Sequence, residues 1–238
     1  MKTVSVLIPA YNEAKTIINV LKKVKEQKVV GFDFEVIVID DGSTDGTLDL
    51  LKKNEELYSG LVALGSNRGK GAAIREGLGQ AKGEYILFQD ADLEYDPADY
   101  QKLLVPIQRF NADIVMGSRM VAPEYTRVSY FWNKVGNRLI TLFFNALNNK
   151  SFTDIYSCYL VYRRELFESK ELFSEGWEQQ AEILSICVAR AKIIYEVPIS
   201  YHGRTHSEGK KIKYYDVIQV FWMIFKMRLS VRCKRQKV

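Results

Sequence analysis

Asp90, Asp92 and Glu94 place three carboxylates within five residues, directly after the apolar run Tyr85 to Phe88. If that run is a strand, Asp90 and Asp92 share one face and Glu94 joins them where the chain curls. Hard carboxylate oxygens grouped in this way suit Mg²⁺ or Mn²⁺, above all an ion that also bridges substrate phosphates. An Asp-x-Asp alone is also the mark of a solvated acidic turn. Its meaning depends on the other polar groups that the chain brings to the same edge.

The elements that must position them alternate. Val4, Val6 and Ile8 mark a strand ended by Pro9, and Asn12 or Glu13 can open a helix whose apolar side is Ile17, Ile18, Leu21 and Val24. Val36 to Ile39 is a second buried strand, running into the turn Asp40 to Gly46 and a helix with Leu48, Leu51 and Leu57. Leu61 to Leu64 is the third strand, followed by Asn67 to Gly71 and a helix over Ala72 to Ala81. Tyr85 to Phe88 and Ile114 to Met116 are the fourth and fifth. Apolar strands alternating with helices predict an α/β fold, a mostly parallel sheet covered on both faces. The polar groups then gather at the carboxyl ends of the strands, where such sheets bind ligands: Tyr11 and Glu13, Asp40 and Asp41, Asn67 to Lys70, Asp90 to Glu94, and Arg119.

Beyond Arg119 the pattern changes. Tyr130 to Leu147 reads as a helix more apolar than one buried stripe requires. Tyr156 to Tyr162 is a strand candidate, Gln179 to Ala191 a helix and Ile193 to Val197 a strand. A polar loop with Arg204 and Lys211 leads to a last helix through Val217, Val220, Phe221, Ile224 and Phe225. The expected organisation is one domain over residues 1–209 with a basic amphipathic helix over 210–238.

Length and composition agree with a globular chain: 238 residues, 47% hydrophobic and 26% charged. The net charge of +5 is uneven, with nine Lys/Arg against one acid from Lys210 onward and 25 bases against 28 acids before it. A nearly neutral body with a basic end excludes a general nucleic-acid field and points to anionic lipid or phosphate at one place. Cys158, Cys187 and Cys233 have neither disulfide nor zinc spacing, which implies a reducing compartment. The apolar start Val4 to Ala10 is too short for a signal peptide, so the expected location is the cytosol, on the inner face of a membrane. Nothing in the sequence sets an oligomeric state.

With these pieces in order the chain resembles glycosyltransferase family 2, and within it the dolichyl-phosphate mannose or glucose synthase branch of polyprenyl-phosphate glycosyltransferases. The likeness runs through Ile8-Pro9-Ala10-Tyr11-Asn12-Glu13, Asp40-Asp41-Gly42-Ser43-Thr44-Asp45-Gly46-Thr47, Asn67-Arg68-Gly69-Lys70-Gly71, Asp90-Ala91-Asp92, Gly117-Ser118-Arg119, Thr153-Asp154 and Glu196-Val197-Pro198, and on to Arg204 and Glu208-Gly209-Lys210-Lys211. It implies a GT-A type, Rossmann-like domain for nucleoside-diphosphate sugars. Pro9, Tyr11, Glu13 and Asp41 would line the base and ribose pocket, with Asp40, Lys70 and Ala91 also contacting the nucleotide sugar. Asp90, Asp92 and Glu94 would hold Mg²⁺ or Mn²⁺ on the diphosphate.

The implied reaction is inverting transfer of a sugar to a polyprenyl phosphate. The leaving diphosphate gains negative charge, which a divalent ion and the cations Arg204, Lys211 and Lys70 would neutralise. A phosphate acceptor is already ionised and needs orientation, for which Arg119 and Lys134 are the expected pair, Lys134 standing where many relatives carry Arg. For a hydroxyl acceptor, Asp154 or Glu178 would be the base. A sugar nucleotidyltransferase would need a Gly-rich, basic loop after the first strand, where this chain has Pro9 to Glu13. A non-catalytic, membrane-associated nucleotide-sugar-binding protein is the remaining alternative, and the presence of both Asp90 and Asp92 weighs against it.

Overall fold

The structure is a computed structural model that describes residues 1–121, 131–203 and 214–235, the last helix with side chains over 217–230. The expected readings at Arg204, at Lys211 and over most of the loop around them lie outside the described residues.

The chain begins with β1 (Lys2–Ala10), α1 (Ile17–Glu26), β2 (Phe32–Asp40), α2 (Thr47–Lys52) and β3 (Gly60–Ala63). It continues through α3 (Lys70–Gln80), β4 (Tyr85–Phe88), α4 (Tyr100–Phe110) and β5 (Ile114–Ser118). The later elements are α5 (Phe131–Asn148), β6 (Leu160–Arg163), α6 (Gln179–Arg190), β7 (Ile194–Pro198) and α7 (Tyr214–Arg235). Among the described residues seven strands form one sheet in the order β3-β2-β1-β4-β6-β5-β7. β1 pairs in parallel with β2 on one side and β4 on the other, so the winding reverses between β1 and β4. Ligands in open α/β sheets bind at such a reversal, outside the carboxyl ends of the strands. Val6, Leu7 and Ile8 of β1 and Ile86 and Leu87 of β4 are fully buried, as strands covered by helices on both faces require.

The sheet is mixed rather than wholly parallel, because β6 runs antiparallel to both β4 and β5. β6 also starts later than the apolar run at Tyr156 predicts. The residues before it are spent elsewhere: Arg119 Nη2 donates to the Tyr156 carbonyl (3.1 Å), Gln180 Nε2 to that of Ser157, and the Cys158 amide donates to the Tyr95 hydroxyl (3.1 Å). α1 likewise begins at Ile17, after Asn12 to Thr16 have formed a loop. Asn12 lies in the left-handed region (φ 56°) and its Oδ1 accepts the Thr44 amide at 2.8 Å, joining the β1 loop to the β2 loop.

At the opposite end of the sheet Asp113 ties three strands together. Its Oδ1 accepts Arg163 Nε at 2.8 Å, and its Oδ2 accepts the amides of Lys192 and Ile193 at 2.8 and 3.0 Å. Burial alone would raise its pKa, but these amides and the guanidinium more than offset that and hold it below the ordinary value. A depressed folded pKa contributes stability that is present above the unfolded value and is lost as pH falls through the folded one. Asp113→Ala is therefore expected to lower the unfolding free energy in urea by about 2 kcal/mol at neutral pH. The deficit should shrink below about pH 4. An equal deficit at both pH values would contradict this account of the carboxylate.

α7 packs along α5 and α6, with Val220, Met223, Ile224 and Met227 buried and Phe143 of α5 against Phe221 (ring centres 5.1 Å apart). Its outer side is apolar too, carrying exposed Ile218, Trp222, Phe225 and Leu229. α5 adds exposed Phe131, Trp132, Leu139 and Leu142. Among the described residues no helix is long and apolar enough to cross a membrane.

Candidate active site

A cavity of about 590 Å³ lies at the carboxyl ends of β1 and β4 and is walled by all the strand-end loops that the sequence singles out. Pro9, Tyr11 and Glu13 enter from the β1 loop, Asp41 from the β2 loop, Lys70 from the start of α3, Asp90 to Glu94 from the β4 turn, and Arg119 from the end of β5. The first two loops are clamped to each other. The Glu13 amide donates to Thr47 Oγ1 (3.0 Å) and the Ala14 amide to Asp45 Oδ2 (3.0 Å), while the Asn12 amide donates to Ser43 Oγ (3.0 Å).

Asp41 binds the loop before α3, its two oxygens accepting the amides of Arg68 and Gly69 at 2.9 Å each. Burial raises its pKa, with the two amides acting against that. Asp40 is wholly buried. One of its oxygens accepts the Ser43 amide at 3.1 Å and the other, Oδ1, has no protein partner. Asp40, expected to contact the nucleotide sugar, is not itself on the cavity wall, which Asp41 reaches instead.

The β4 turn is held from below by Gln89, a residue that no sequence pattern marks. Its buried Oε1 accepts both the Tyr100 hydroxyl (2.9 Å) and the Tyr159 hydroxyl (2.8 Å), and its Nε2 donates to the Asp90 carbonyl (3.0 Å). Leu93 takes a left-handed conformation (φ 62°), a strained choice for a branched side chain that the surrounding contacts must enforce. Lys70 Nζ donates to Asp90 Oδ1 at 2.5 Å and lies 5.1 Å from the centre of the Trp177 ring. Burial would lower the Lys70 pKa, yet the Asp90 carboxylate prevails and the ammonium is held above its ordinary range. The Cys158 thiol also borders the cavity beside Asp90, and burial followed by that negative charge keeps it protonated.

Glu94 is turned to another use. Its Oε2 accepts the Tyr201 hydroxyl at 2.8 Å and its carbonyl accepts the His202 amide at 2.9 Å. Among the described residues no three Asp, Glu, His or Cys side chains converge as a cage for an ion. The three expected carboxylates all line the cavity, with Asp90 Oδ1 accepting from Lys70 and Glu94 Oε2 from Tyr201. Asp90 and Asp92 on the cavity wall make a two-carboxylate, oxygen-only edge. That donor set fits Mg²⁺ or Mn²⁺, which take one or two carboxylates and complete their shell with substrate phosphates.

Arg119 and Asp154, placed apart in the sequence reading, form one unit. Arg119 Nε donates to Asp154 Oδ2 (2.6 Å) and Nη2 to Oδ1 (2.9 Å), and the guanidinium lies 5.0 Å from the centre of the Tyr201 ring. Asp154 is fully buried, with both oxygens on Arg119. Its loop is fixed in turn by Glu196, which accepts the amides of Thr153 (2.9 and 3.0 Å) and Asp154 (3.2 Å). Glu178 is not on the cavity wall. Nor is Lys134, which is exposed on α5, whereas Asn133, Gly136, Asn137 and Ile140 face the cavity at helical spacing. The expected cation pair of Arg119 and Lys134 is therefore not brought together. Trp177, Tyr95 and Tyr201 were equally unmarked in the sequence, since an aromatic at a loop or strand end reads first as packing.

A family model described as glycosyl transferase family 2 matches residues 5–169. Glycosyltransferase AglJ of Haloferax volcanii is 36% identical over 205 residues, covering 84% of this chain and 63% of that protein. The dolichyl-phosphate beta-glucosyltransferase of Saccharomyces cerevisiae is 31% identical over 225 residues, covering 83% of this chain and 66% of that protein. The chain thus spans just under two thirds of each of these relatives. Among solved structures, glucosyl-3-phosphoglycerate synthase from Mycobacterium tuberculosis, in complex with Mn²⁺, uridine diphosphate and glucosyl-3-phosphoglycerate, superposes with a TM-score of 0.66 over 97% of this chain and 80% of that one. At 20% identity that is a likeness of fold, here the GT-A fold. The match over most of the sheet, together with two relatives above 30% identity, shows that this chain belongs to glycosyltransferase family 2.

Proposed function

We propose that the chain transfers a sugar from a nucleoside diphosphate to a polyprenyl phosphate at a membrane surface, with inversion at the anomeric carbon. The observation that carries the lipid acceptor is the mouth of the cavity. Trp132 of α5 and Val217 of α7 line the cavity, Trp132 is itself exposed, and the two helices that bear them present their apolar outer sides to solvent. A sugar acceptor in water has no use for such an entrance, whereas a polyprenyl chain does.

In this reading the β1 and β2 loops hold the nucleoside, Asp40 and Asp41 fixing the backbone around it. Asp90 and Asp92 would hold the divalent ion, which supplies charge neutralisation on the leaving diphosphate. Lys70 sits next to that position and stabilises the same charge, with Arg204 and Lys211 as further cations. Arg119 orients the acceptor phosphate, and Asn133 and Asn137 take the place on the wall that Lys134 does not reach. The acceptor oxygen is ionised at neutral pH, so no base is required. Asp154 serves as the anchor that fixes the plane of Arg119. Trp132 and the apolar outer sides of α5 and α7 rest in the interface, with Lys226 and Arg228 near anionic head groups, each contributing roughly 1 kcal/mol.

Sedimentation with vesicles of anionic phospholipid tests the surface. The wild-type chain is expected to bind, and the double variant Trp222→Glu, Phe225→Glu to bind at least about ten-fold more weakly. Its sugar transfer to a water-soluble short-chain polyprenyl phosphate should be unchanged. Equal vesicle binding by both proteins would remove the membrane from the proposal.

A further inference from the structure

The inference rests on the function just proposed and concerns Lys70 before the nucleotide arrives. Lys70 Nζ is 2.5 Å from Asp90 Oδ1, and the two side chains are only 18% and 20% exposed. The backbone under Lys70 is pinned on both sides. Gly69 has a left-handed φ of +96°, and a Cβ on Gly69 or Gly71 would collide with the backbone of Glu175 or Ser174. The Gly71 amide also donates to the Glu175 carbonyl at 2.8 Å. The Trp177 ring closes over the ammonium. A fixed Cα therefore delivers a cation to one oxygen of the carboxylate edge that a divalent ion needs.

A monovalent and a divalent cation at one carboxylate oxygen repel each other, and in a half-closed cavity solvent screens them poorly. The four-carbon lysine stem lets the charge swing several ångströms while the helix stays still. We propose that Lys70 is an internal counter-ion of Asp90 that keeps a divalent ion from settling on the Asp90 and Asp92 edge until a diphosphate enters, and that it then transfers its charge to the diphosphate. Metal binding is thereby made conditional on nucleotide.

The proposal gives opposite signs in two titrations of the whole chain. Mn²⁺ binding is followed by electron paramagnetic resonance without nucleotide, for wild type, Lys70→Gln and Lys70→Arg. Lys70→Gln should bind Mn²⁺ about ten-fold or more tightly than wild type, and Lys70→Arg, which keeps the charge, should remain weak. With Mn²⁺ present and UDP, GDP and dTDP as separate probes, Lys70→Gln should bind its preferred diphosphate about ten-fold more weakly than wild type. Unchanged or weaker Mn²⁺ binding by Lys70→Gln without nucleotide overturns the proposal, as does equal tightening in Lys70→Arg. If wild type with Mn²⁺ binds none of the three diphosphates, the glycosyl-transfer reading itself fails. A diphosphate that binds while Mn²⁺ affinity ignores Lys70 rejects the counter-ion alone.

Discussion

Asp92→Ala is expected to reduce sugar transfer on the order of 10³-fold or more while leaving the thermal unfolding temperature within a few degrees of wild type. The large effect on activity follows from the small number of oxygen donors. The β4 turn brings Asp90, Asp92 and Glu94 to the cavity wall, and Glu94 Oε2 already accepts the Tyr201 hydroxyl, so losing Asp92 removes a large part of the remaining edge. The small effect on stability follows because Asp92 is half-buried and the turn that its Oδ1 braces through the Glu94 amide (3.1 Å) is also held by Gln89 and Tyr95. Steady-state kinetics over a range of Mn²⁺ concentrations checks it. Full activity in Asp92→Ala, or rescue of a lost activity by EDTA, would contradict a metal held at this turn. Glu94→Gln should be the milder change, about ten-fold or less in rate, because the amide oxygen still accepts the Tyr201 hydroxyl.

The second large effect separates anchor from base. Asp154→Asn replaces a fully buried carboxylate with a neutral amide and leaves the Arg119 guanidinium poorly paired. Removing one partner of a buried ion pair costs about 3 to 5 kcal/mol, so the variant should unfold at markedly lower urea concentration. Its transfer rate should fall together with a raised KM for the acceptor, since Arg119 then lacks the two bonds that fix its plane. A catalytic base would behave differently. The variant would fold as wild type, bind acceptor normally and lose kcat alone.

The strand ends were legible because buried parallel strands are continuous apolar runs and the acids and glycines that follow them interrupt those runs sharply. That pattern locates Pro9, Asp41, Lys70, Asp90 and Arg119 on one edge. What the pattern could not reveal is pairing between groups distant in the chain. Lys70 meets Asp90 only through the strand order, in which β4 pairs with β1 beside β2 and β3, and Arg119 meets Asp154 only because β6 pairs with β5. The antiparallel placement of β6 left no mark, since Leu160 to Arg163 is as apolar as a parallel strand would be. Helical phase decided the rest. Lys134 and Asn133 are adjacent in sequence, yet about 100° separates them around α5, and that rotation puts the asparagine on the cavity and the lysine in solvent.

The most direct test of the central claim is acceptor choice, read by mass spectrometry of the product. The whole chain, Mn²⁺ and a panel of UDP-, GDP- and dTDP-sugars are incubated with a short polyprenyl phosphate, the matching polyprenol without its phosphate, and free oligosaccharides. The account predicts one glycosylated product, the polyprenyl phosphate carrying a single sugar of inverted anomeric configuration, and none from the polyprenol. Transfer to the oligosaccharides with the polyprenyl phosphate untouched would contradict it.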